Sequence, residues 1–319
     1  MCGIIGVTGG SEVVDILLDG LARLEYRGYD SAGVAMQVDG KLWRARAATG
    51  TRSLDDLRKV VESAPAAPIG GIGHTRWATH GHPTERNAHP HLDCTGGVAV
   101  VHNGIVENCR ELTAALERSG HVMTSDTDTE VIAHLVEEEL AGGAGLAAAV
   151  RSALGRLRGS FALGVVSAAE PGTIVAARRV SPLVVAIADG PGGEALLASD
   201  IPAILGRTRT FWTLDDDQVV VLQPGALSVT DLHGAPVEPA VLHVDWDLEA
   251  AEKGGHDDFM SKEMGEQPRA VQDTLRGRAL PDGTLSLDEL RIDAAALRQV
   301  DKVFIVACGS SFHAGLVAK

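Results

Sequence analysis

At the start of the chain, apolar residues follow two periods that predict strands and a helix. Residues 2–8 are almost continuously apolar, as in a strand that is buried on both faces. Residues 12–26 carry Val and Leu at helical spacing. Residues 31–38 and 41–47 are strand-like, and Asp39-Gly40 between them is a strong hairpin signal.

A long polar stretch, 77–96, separates two Gly-rich, strand-like segments at 70–76 and 97–103. A loop of that length inside a compact domain is usually functional or disordered. Thr127 and Glu130 match a capping box, which predicts the start of a helix. Helices are predicted over 54–63, 109–119, 127–140 and 146–157.

From residue 159 onward the chain turns to short strands, separated by turn signals such as Asp189-Gly190 and Pro224-Gly225. These strands are predicted over 160–167, 173–178, 183–188, 195–199, 218–222 and 226–230. The helices thus separate two sets of strands, without a regular alternation of strand and helix. This order predicts an α+β domain over residues 2–230, in which two packed sheets have helices outside them.

The last part of the chain has a different character. Residues 231–300 are charged and helical in pattern, and we expect an interdomain linker there. Residues 302–307 are typical of a fully buried strand, 308–311 of a polar loop and 312–319 of a helix. A single strand, loop and half-helix cannot bury their own faces. We therefore expect residues 301–319 to begin a second α/β domain of a longer protein.

Composition narrows the possible functions. The formal net charge of −15 argues against nucleic acid or an anionic membrane surface as a partner. No run approaches the ~18 apolar residues that a membrane helix needs, and no signal peptide is visible. The four cysteines are far apart and form no CxxC pair, which is typical of a reduced, cytoplasmic protein.

Cys2 directly follows the initiator methionine. Removal of Met1 would leave a thiol and a free α-amine on one residue, with ordinary pKa values of about 8.5 and 7.7–8.0. Such an amine can accept the thiol proton and so activate a nucleophile. On position alone, a cysteine buried in the first strand is the simpler interpretation, because cysteine is among the most buried residue types.

Three polar groups of residues offer further chemistry. Arg76, beside Trp77, carries a planar guanidinium that can pair with a carboxylate, although an arginine at such a place is more often a surface charge. Asn103-Gly104 is either a turn after a strand or an oxyanion hole, made of a side-chain amide and a backbone N–H. Asp128 either favours a helix N-terminus or binds a cationic group.

Metal and phosphate sites are the remaining candidates. Several potential ligands crowd into the polar stretch and its flanks: His74, His80, His82, His89, His91 and Cys94. They lack a helical His-x-x-x-His spacing and a cysteine pair, so we expect no metal site. Gly309, Ser310 and Ser311 precede a predicted helix and form a candidate partial site for a sugar phosphate.

Six motifs, taken in this order, closely resemble the class II glutamine amidotransferases, whose nucleophile is the N-terminal residue. They are residues 1–6, 24–33, 74–81, 87–91, 102–105 and 127–130. Within this class the chain resembles the glucosamine-6-phosphate synthases. Residues 258–268 look like the interdomain segment of that family, and 307–311 look like the opening of its sugar-isomerase (SIS) domain.

The resemblance implies a four-layer αββα sandwich and an enzyme that hydrolyses glutamine. It makes Cys2 the nucleophile, with its own α-amine as the base, and makes Asn103 and Gly104 the oxyanion donors. It assigns further residues to glutamine binding: Arg76 to the α-carboxylate, Asp128 to the α-ammonium, Thr79 and His80 to the pocket lining, and Trp77 to a mobile lid. Asp126 is a minor rival of Asp128.

The resemblance also implies what the longer protein does. Ammonia would pass to the SIS domain, which aminates fructose 6-phosphate, so this chain alone is expected to show only glutaminase activity. No cofactor, nucleic acid or membrane partner is expected, and the full-length protein is expected to be a cytoplasmic homodimer. The alternatives are the amidotransferase half of another class II enzyme and a non-catalytic module that binds a sugar phosphate or a metal.

Overall fold

The computed structural model describes residues 2–190, 193–245, 254–256, 259–276, 278, 292–307 and 309–319. The chain divides into two units, Met1–Gly254 and Gly255–Lys319. Within the ranges just given, no helix is both long enough and apolar enough to cross a bilayer.

Two antiparallel sheets form the middle of the first unit. In chain order their strands are β1 (Gly3–Thr8), β2 (Ser31–Val38), β3 (Lys41–Ala47), β4 (Gly70–Arg76), β5 (His91–Leu92), β6 (Val98–Val106), β7 (Gly159–Ser167), β8 (Ile174–Arg179), β9 (Val184–Ile187), β10 (Ala195–Ala198), β11 (Thr210–Thr213), β12 (Gln218–Gln223), β13 (Ala226–Thr230) and β14 (Ala240–His243). The eight-stranded sheet has the order β14-β11-β9-β10-β1-β4-β2-β3, and the six-stranded sheet has the order β13-β12-β8-β7-β6-β5.

Helices cover the outer faces of both sheets. Those of the first unit are α1 (Val13–Arg23), α2 (Ser53–Val61), α3 (Cys109–Arg118), α4 (Glu130–Ala141) and α5 (Leu146–Arg156). The helices α1 and α2 contact strands of the eight-stranded sheet, whereas α4 and α5 contact strands of the six-stranded sheet and α3 packs on α4. The predicted four-layer αββα sandwich is therefore confirmed.

Three clusters of buried apolar residues fill the three gaps between these layers. Neighbouring residues of β1 divide between them, because side chains alternate across a strand. Ile4 lies in the cluster between the sheets, and Ile5 lies in the cluster under α1. Both are fully buried, and each such side chain contributes about 1.5–3 kcal/mol of burial free energy. Since both faces of β1 are covered, residues 2–8 show no polar alternation.

Three strands of the first unit were not predicted, and each lies in a poorly patterned segment. The strand β5 has only two residues and lies inside the polar stretch 77–96. The strands β11 and β14 pair with each other, with Phe211 opposite Leu242. The eight-stranded sheet thus continues beyond residue 230, where the sequence places the end of the first domain.

The predicted capping box at Thr127 and Glu130 is wrong. The helix α4 begins at Glu130 itself, and no side chain caps it. The Thr127 hydroxyl lies 3.0 Å from His91 Nε2, so it bonds to a residue of β5 and does not cap the helix. The Glu130 carboxylate accepts hydrogen bonds from the backbone N–H groups of Thr124 and Ser125 at 2.8 and 2.6 Å. A long-range partner of Thr127 and nearby upstream partners of Glu130 replace the pairing that the sequence pattern suggests.

The second unit contains α6 (Phe259–Leu275), α7 (Ala294–Leu297) and α8 (Gly309–Val317). The strand predicted over 302–307 is not formed, and Val306 is 96% exposed. A strand needs a neighbour to satisfy its backbone groups, and the described residues of this unit supply none. The residues Pro281-Asp282-Gly283, whose sequence predicts a break in the helical pattern, lie outside the described residues.

Glu130→Gln is expected to lower the free energy of unfolding by about 2–3 kcal/mol. The carboxylate is buried and accepts from two N–H groups and from the hydroxyls of Thr124 and Ser125, so an amide NH₂ would face donors. Urea denaturation followed by circular dichroism measures the change. Glu117→Gln, at an exposed position of α3, is the control and should change the free energy by less than ~0.5 kcal/mol. Equal effects of the two substitutions would contradict the role assigned to the Glu130 carboxylate.

Candidate active site

Cys2 is held by the strand that follows it. The strand β1 lies between β4 and β10, with Gly3 opposite Thr75 and Ile5 opposite Ala198. The backbone N–H of Ile4 also donates to Ser199 Oγ at 2.9 Å. Although chain ends usually fray, this pairing on both sides fixes the second residue of the chain.

The Cys2 thiol lies at the end of β4. The backbone N–H of Trp77 donates to Cys2 Sγ at 3.2 Å. Burial raises the pKa of the Cys2 thiol, while the Trp77 N–H and the charges of Arg76 and Arg27 oppose that rise. A thiol with a raised pKa stays protonated near neutral pH, so it needs a base before it can act as a nucleophile.

Asn103, within β6 of the other sheet, reaches the backbone of Cys2. Its Nδ2 donates to the Cys2 carbonyl oxygen at 3.0 Å. His74 Nε2 lies 3.0 Å from Asn103 Oδ1 and 3.1 Å from the carbonyl oxygen of His102. Both partners are acceptors, so Nε2 carries the proton and donates. Burial lowers the pKa of His74 to about 3, which keeps the ring neutral and fixes the orientation of the amide.

Arg27 is a contributor that the reasoning from single residues missed. Its Nε donates to the Cys2 carbonyl oxygen at 3.1 Å, and its Nη1 donates to Asp200 Oδ2 at 2.7 Å. Gly28, beside it, passes so close to β4 that a Cβ there would lie 2.7 Å from Trp77 N. The only signal in the sequence is a charged residue followed by glycine at the end of an amphipathic helix.

Arg76 is buried at the end of β4, and its guanidinium is held by a loop. Its Nη2 donates to the carbonyl oxygens of His80 and Gly81, and its Nη1 lies 3.4 Å from that of His82. Side chains in the same loop are exposed, those of Trp77 and Thr79 among them. The Trp77 ring meets the Tyr29 ring edge-on, with centroids 5.6 Å apart. In this conformation, the Nη1 and Nη2 donors of Arg76 thus bond to carbonyl oxygens of the polar loop.

Asp128 lines a cavity of about 560 Å³. Its charge acts on the Arg76 guanidinium, and its Oδ2 accepts from the backbone N–H of Val106 at 2.8 Å. The cavity is lined by Asp128, His80 and neighbouring residues of β6 and α3. Its described lining includes neither Cys2 nor Arg76, so the cavity reaches only the Asp128 side of the site.

Asp126 also lines this cavity, but its carboxylate has protein partners. It pairs with the Arg86 guanidinium and accepts from Asn87 Nδ2 at 3.2 Å. Asp126 therefore anchors the end of the polar loop, which separates its role from that of Asp128.

Gly104 requires glycine for two reasons. Its φ of +140° is unfavourable for other residues, and a Cβ at this position would lie 2.0 Å from the Ser160 carbonyl oxygen. It faces Phe161 of β7 in the ladder that also carries Asn103. The backbone after Asn103 is thus constrained by β7.

The remaining candidates are the phosphate-site residues and the histidines of the polar stretch. Gly309, Ser310 and Ser311 lie in the second unit, at the start of α8. The buried rings of His89 and His91 pack together, with centroids 4.7 Å apart, and His89 also packs on His74. Burial lowers the pKa of His89 and His91 and keeps both rings neutral.

Gly104→Ala is expected to lower the free energy of unfolding by about 2–4 kcal/mol, because the new methyl group would collide with backbone and force an unfavourable φ. Thermal denaturation measures the loss. Gly155→Ala is the matched control: a Cβ at this exposed position of α5 meets nothing within 4 Å, so stability should stay the same or rise by up to ~1 kcal/mol. A stable Gly104→Ala protein would contradict the assigned backbone constraint.

The chain is similar in sequence to known glutamine amidotransferases. Residues 74–206 match the glutamine amidotransferase domain model. The chain is 53% identical over 319 residues to glutamine–fructose-6-phosphate aminotransferase (isomerizing) of Streptomyces coelicolor, and 50% identical over 320 residues to that of Symbiobacterium thermophilum. Each alignment covers all of this chain and 51% of the relative. The chain thus spans about half the length of the curated relatives it matches.

Two solved structures share the fold. Glutamine phosphoribosylpyrophosphate amidotransferase from B. subtilis aligns with a TM-score of 0.59 and 25% identity over 72% of this chain and 49% of its own. The allosteric regulatory enzyme of purine biosynthesis aligns over the same shares with a TM-score of 0.62, also at 25% identity. With the fold, the domain match and the full-chain relatives in agreement, the chain belongs to the class II glutamine amidotransferases.

Proposed function

We propose that the first unit hydrolyses glutamine to glutamate and ammonia, with Cys2 as the nucleophile. One observation carries this proposal: an oriented side-chain amide from one sheet bonds to the backbone of the thiol-bearing residue that precedes a strand of the other sheet. The Asn103 Nδ2 group faces the Cys2 backbone because His74 holds its Oδ1. A nucleophile beside a fixed hydrogen-bond donor is what acyl transfer needs.

The first half of the reaction forms a thioester. After removal of Met1, the free α-amine of Cys2 takes the thiol proton, and Sγ attacks the side-chain amide carbon of glutamine. The negative charge that develops on the amide oxygen is stabilised by Asn103 Nδ2 and the backbone N–H of Gly104. The C–N bond then breaks, and the proton that the amine carries goes to the leaving nitrogen, which departs as ammonia.

The second half of the reaction releases glutamate. The α-amine accepts a proton from water, and the resulting hydroxide attacks the glutamyl thioester. The same two donors stabilise the second oxyanion. When the C–S bond breaks, the proton returns to sulfur and the free thiol is restored.

The two fixed charges of glutamine require one cation and one anion. We assign Arg76 to the α-carboxylate and Asp128 to the α-ammonium, and Thr79 and His80 to the lining of the same pocket. Because carbonyl oxygens of residues 80–82 occupy the Arg76 guanidinium, substrate binding must rearrange this loop. Trp77, exposed in the same loop, is then placed to cover the bound substrate.

The longer protein would use the ammonia. The curated relatives are named as enzymes that aminate fructose 6-phosphate, and this chain matches about half of their length. We propose that the full-length protein makes glucosamine 6-phosphate, and that residues 301–319, including Gly309, Ser310 and Ser311, begin its SIS domain. The homodimer and the cytoplasmic location stay predictions.

The other class II enzymes are less well supported. The B. subtilis structure is named for phosphoribosylpyrophosphate, but its identity to this chain is 25%, against 53% and 50% for the two aminotransferases. An assay of the full-length protein with fructose 6-phosphate, and with phosphoribosyl pyrophosphate or aspartate plus ATP as controls, separates these reactions. Amination of either control substrate in place of fructose 6-phosphate would reject the assignment.

Cys2→Ala is expected to abolish glutamine hydrolysis, because it removes the thiol that forms the thioester. Release of glutamate, followed with glutamate dehydrogenase, measures the rate. Intact-mass analysis of the wild-type sample should show that Met1 is absent. Full activity in a sample that retains Met1 would exclude the α-amine as the base, and hydrolysis by Cys2→Ala near the wild-type rate would exclude Cys2 as the nucleophile.

Asn103→Ala is expected to lower kcat for glutamine hydrolysis by ~10²-fold or more, with a smaller change in KM, because an oxyanion donor acts mainly in the transition state. Steady-state kinetics measure both constants.

Asn103→Asp is the matched comparison. It keeps the shape of the side chain and its hydrogen bond from His74, but it replaces the amide donor with a negative charge. Its kcat should fall at least as far as that of Asn103→Ala. If the aspartate variant keeps a nearly normal kcat, the Asn103 amide does not stabilise the oxyanion.

A further inference from the structure

Four potential metal ligands from three separate segments converge in the first unit, away from Cys2. Cys94 Sγ lies 3.6 Å from His121 Nδ1 and 3.5 Å from His134 Nδ1. Glu137 Oε2 lies 3.0 Å from His121 Nδ1 and 3.1 Å from His134 Nδ1. The four ligand atoms all lie within 4.8 Å of one another, and no other such group is found in the part of the chain that the structure describes.

Four of the six distances between the ligand atoms are close to the edges of a tetrahedron around zinc. With Zn–S near 2.3 Å and Zn–N and Zn–O near 2.0–2.1 Å, tetrahedral angles place sulfur and nitrogen about 3.6 Å apart, and nitrogen and oxygen about 3.3 Å apart. The two sulfur–nitrogen distances agree with this value, and the two nitrogen–oxygen distances are shorter by about 0.2–0.3 Å. The other two ligand pairs lie within 4.8 Å, and zinc binding would bring them to the spacing of a tetrahedron.

The far side of each imidazole faces a carboxylate. His121 Nε2 lies 3.7 Å from Glu138 Oε1, and His134 Nε2 lies 3.8 Å from Glu130 Oε1. His134 is 1% exposed, and its Nε2 has no hydrogen-bond partner within the described residues. Carboxylates behind metal-binding histidines orient the rings and raise their basicity.

Each ligand is fixed by its own local structure. His134 and Glu137 are three residues apart on α4 and therefore share one of its faces. His121 follows a Schellman motif at the end of α3, in which its N–H donates to the Leu116 carbonyl oxygen after Gly120 at φ +97°. Cys94 lies in the tight turn between β5 and β6, and its N–H donates to Glu137 Oε2 at 3.2 Å.

We propose that Cys94, His121, His134 and Glu137 bind one Zn²⁺ ion as a structural site. Sulfur and nitrogen donors select zinc over Mg²⁺ or Ca²⁺, and four protein ligands leave no open position for catalysis. The thiolate and the carboxylate balance the charge of the ion, and the thiol proton of Cys94 is released to solvent on binding. The ion would join the β5–β6 turn, the end of α3 and the middle of α4.

Zinc binding by the metal-free chain tests this proposal. Because an N-terminal cysteine itself chelates zinc, the measurement is made in the Cys2→Ala background. Competition with a chromophoric chelator is expected to show one zinc per chain. Co²⁺ in place of zinc should give the intense visible bands of a tetrahedral site and a thiolate-to-cobalt charge-transfer band.

Adding Cys94→Ser should remove the charge-transfer band and weaken zinc binding by about 100-fold or more. Glu137→Gln tests a second ligand; it keeps the thiolate band but should weaken zinc binding by about tenfold or more. Cys109→Ser is the matched control for another free thiol, and it should retain one zinc and the wild-type cobalt spectrum. Absence of stoichiometric zinc in the Cys2→Ala chain, or full affinity in the Cys94→Ser chain, would overturn the proposal and leave a cluster held by hydrogen bonds alone.

Discussion

The candidate site depends on the position of β1 in the middle of the larger sheet. A reactive group at the second residue of a chain has almost no preceding backbone to hold it, and chain ends fray unless they are tied down. Pairing with β4 and β10 supplies the restraint, and Ile4 and Ile5 add burial on opposite faces. The apolar run of residues 2–8 is therefore a requirement of the proposed chemistry as well as of the fold.

The second restraint acts between the sheets. His74 belongs to the eight-stranded sheet, yet it holds the Asn103 amide of the six-stranded sheet. The distance between nucleophile and oxyanion donor is thus set by the packing of the inter-sheet cluster as well as by local backbone. Misplacement of a catalytic group by 1 Å can cost about 10²-fold in rate. A neutral, buried histidine suits this task because it donates from Nε2 whatever the solvent pH near neutrality.

The sequence predicts most strands and helices of the first unit because their apolar patterns extend over many residues and typical turn residues mark their ends. The β2–β3 hairpin at Asp39-Gly40 and the long central strands are examples. The parts that it misses depend on contacts that the local pattern does not show. Thr127 and Glu130 match a local capping motif, but their side chains bond to His91 and to residues 124–125 instead. Arg27 and His74 carry no distinctive spacing, and only the folded sheets show what they hold.

Contacts between separate segments also decide which of the potential metal ligands come together. His74, His89 and His91 are near one another in sequence, but the fold buries them as neutral, packed rings. Cys94 instead meets residues of α4 and the end of α3, whose spacing matches no local motif. The helix α4 begins two residues after Asp128. An ion bound to His134 and Glu137 would therefore steady the helix that follows Asp128, which connects the proposed zinc site to the proposed glutamine pocket without giving the ion any part in the chemistry.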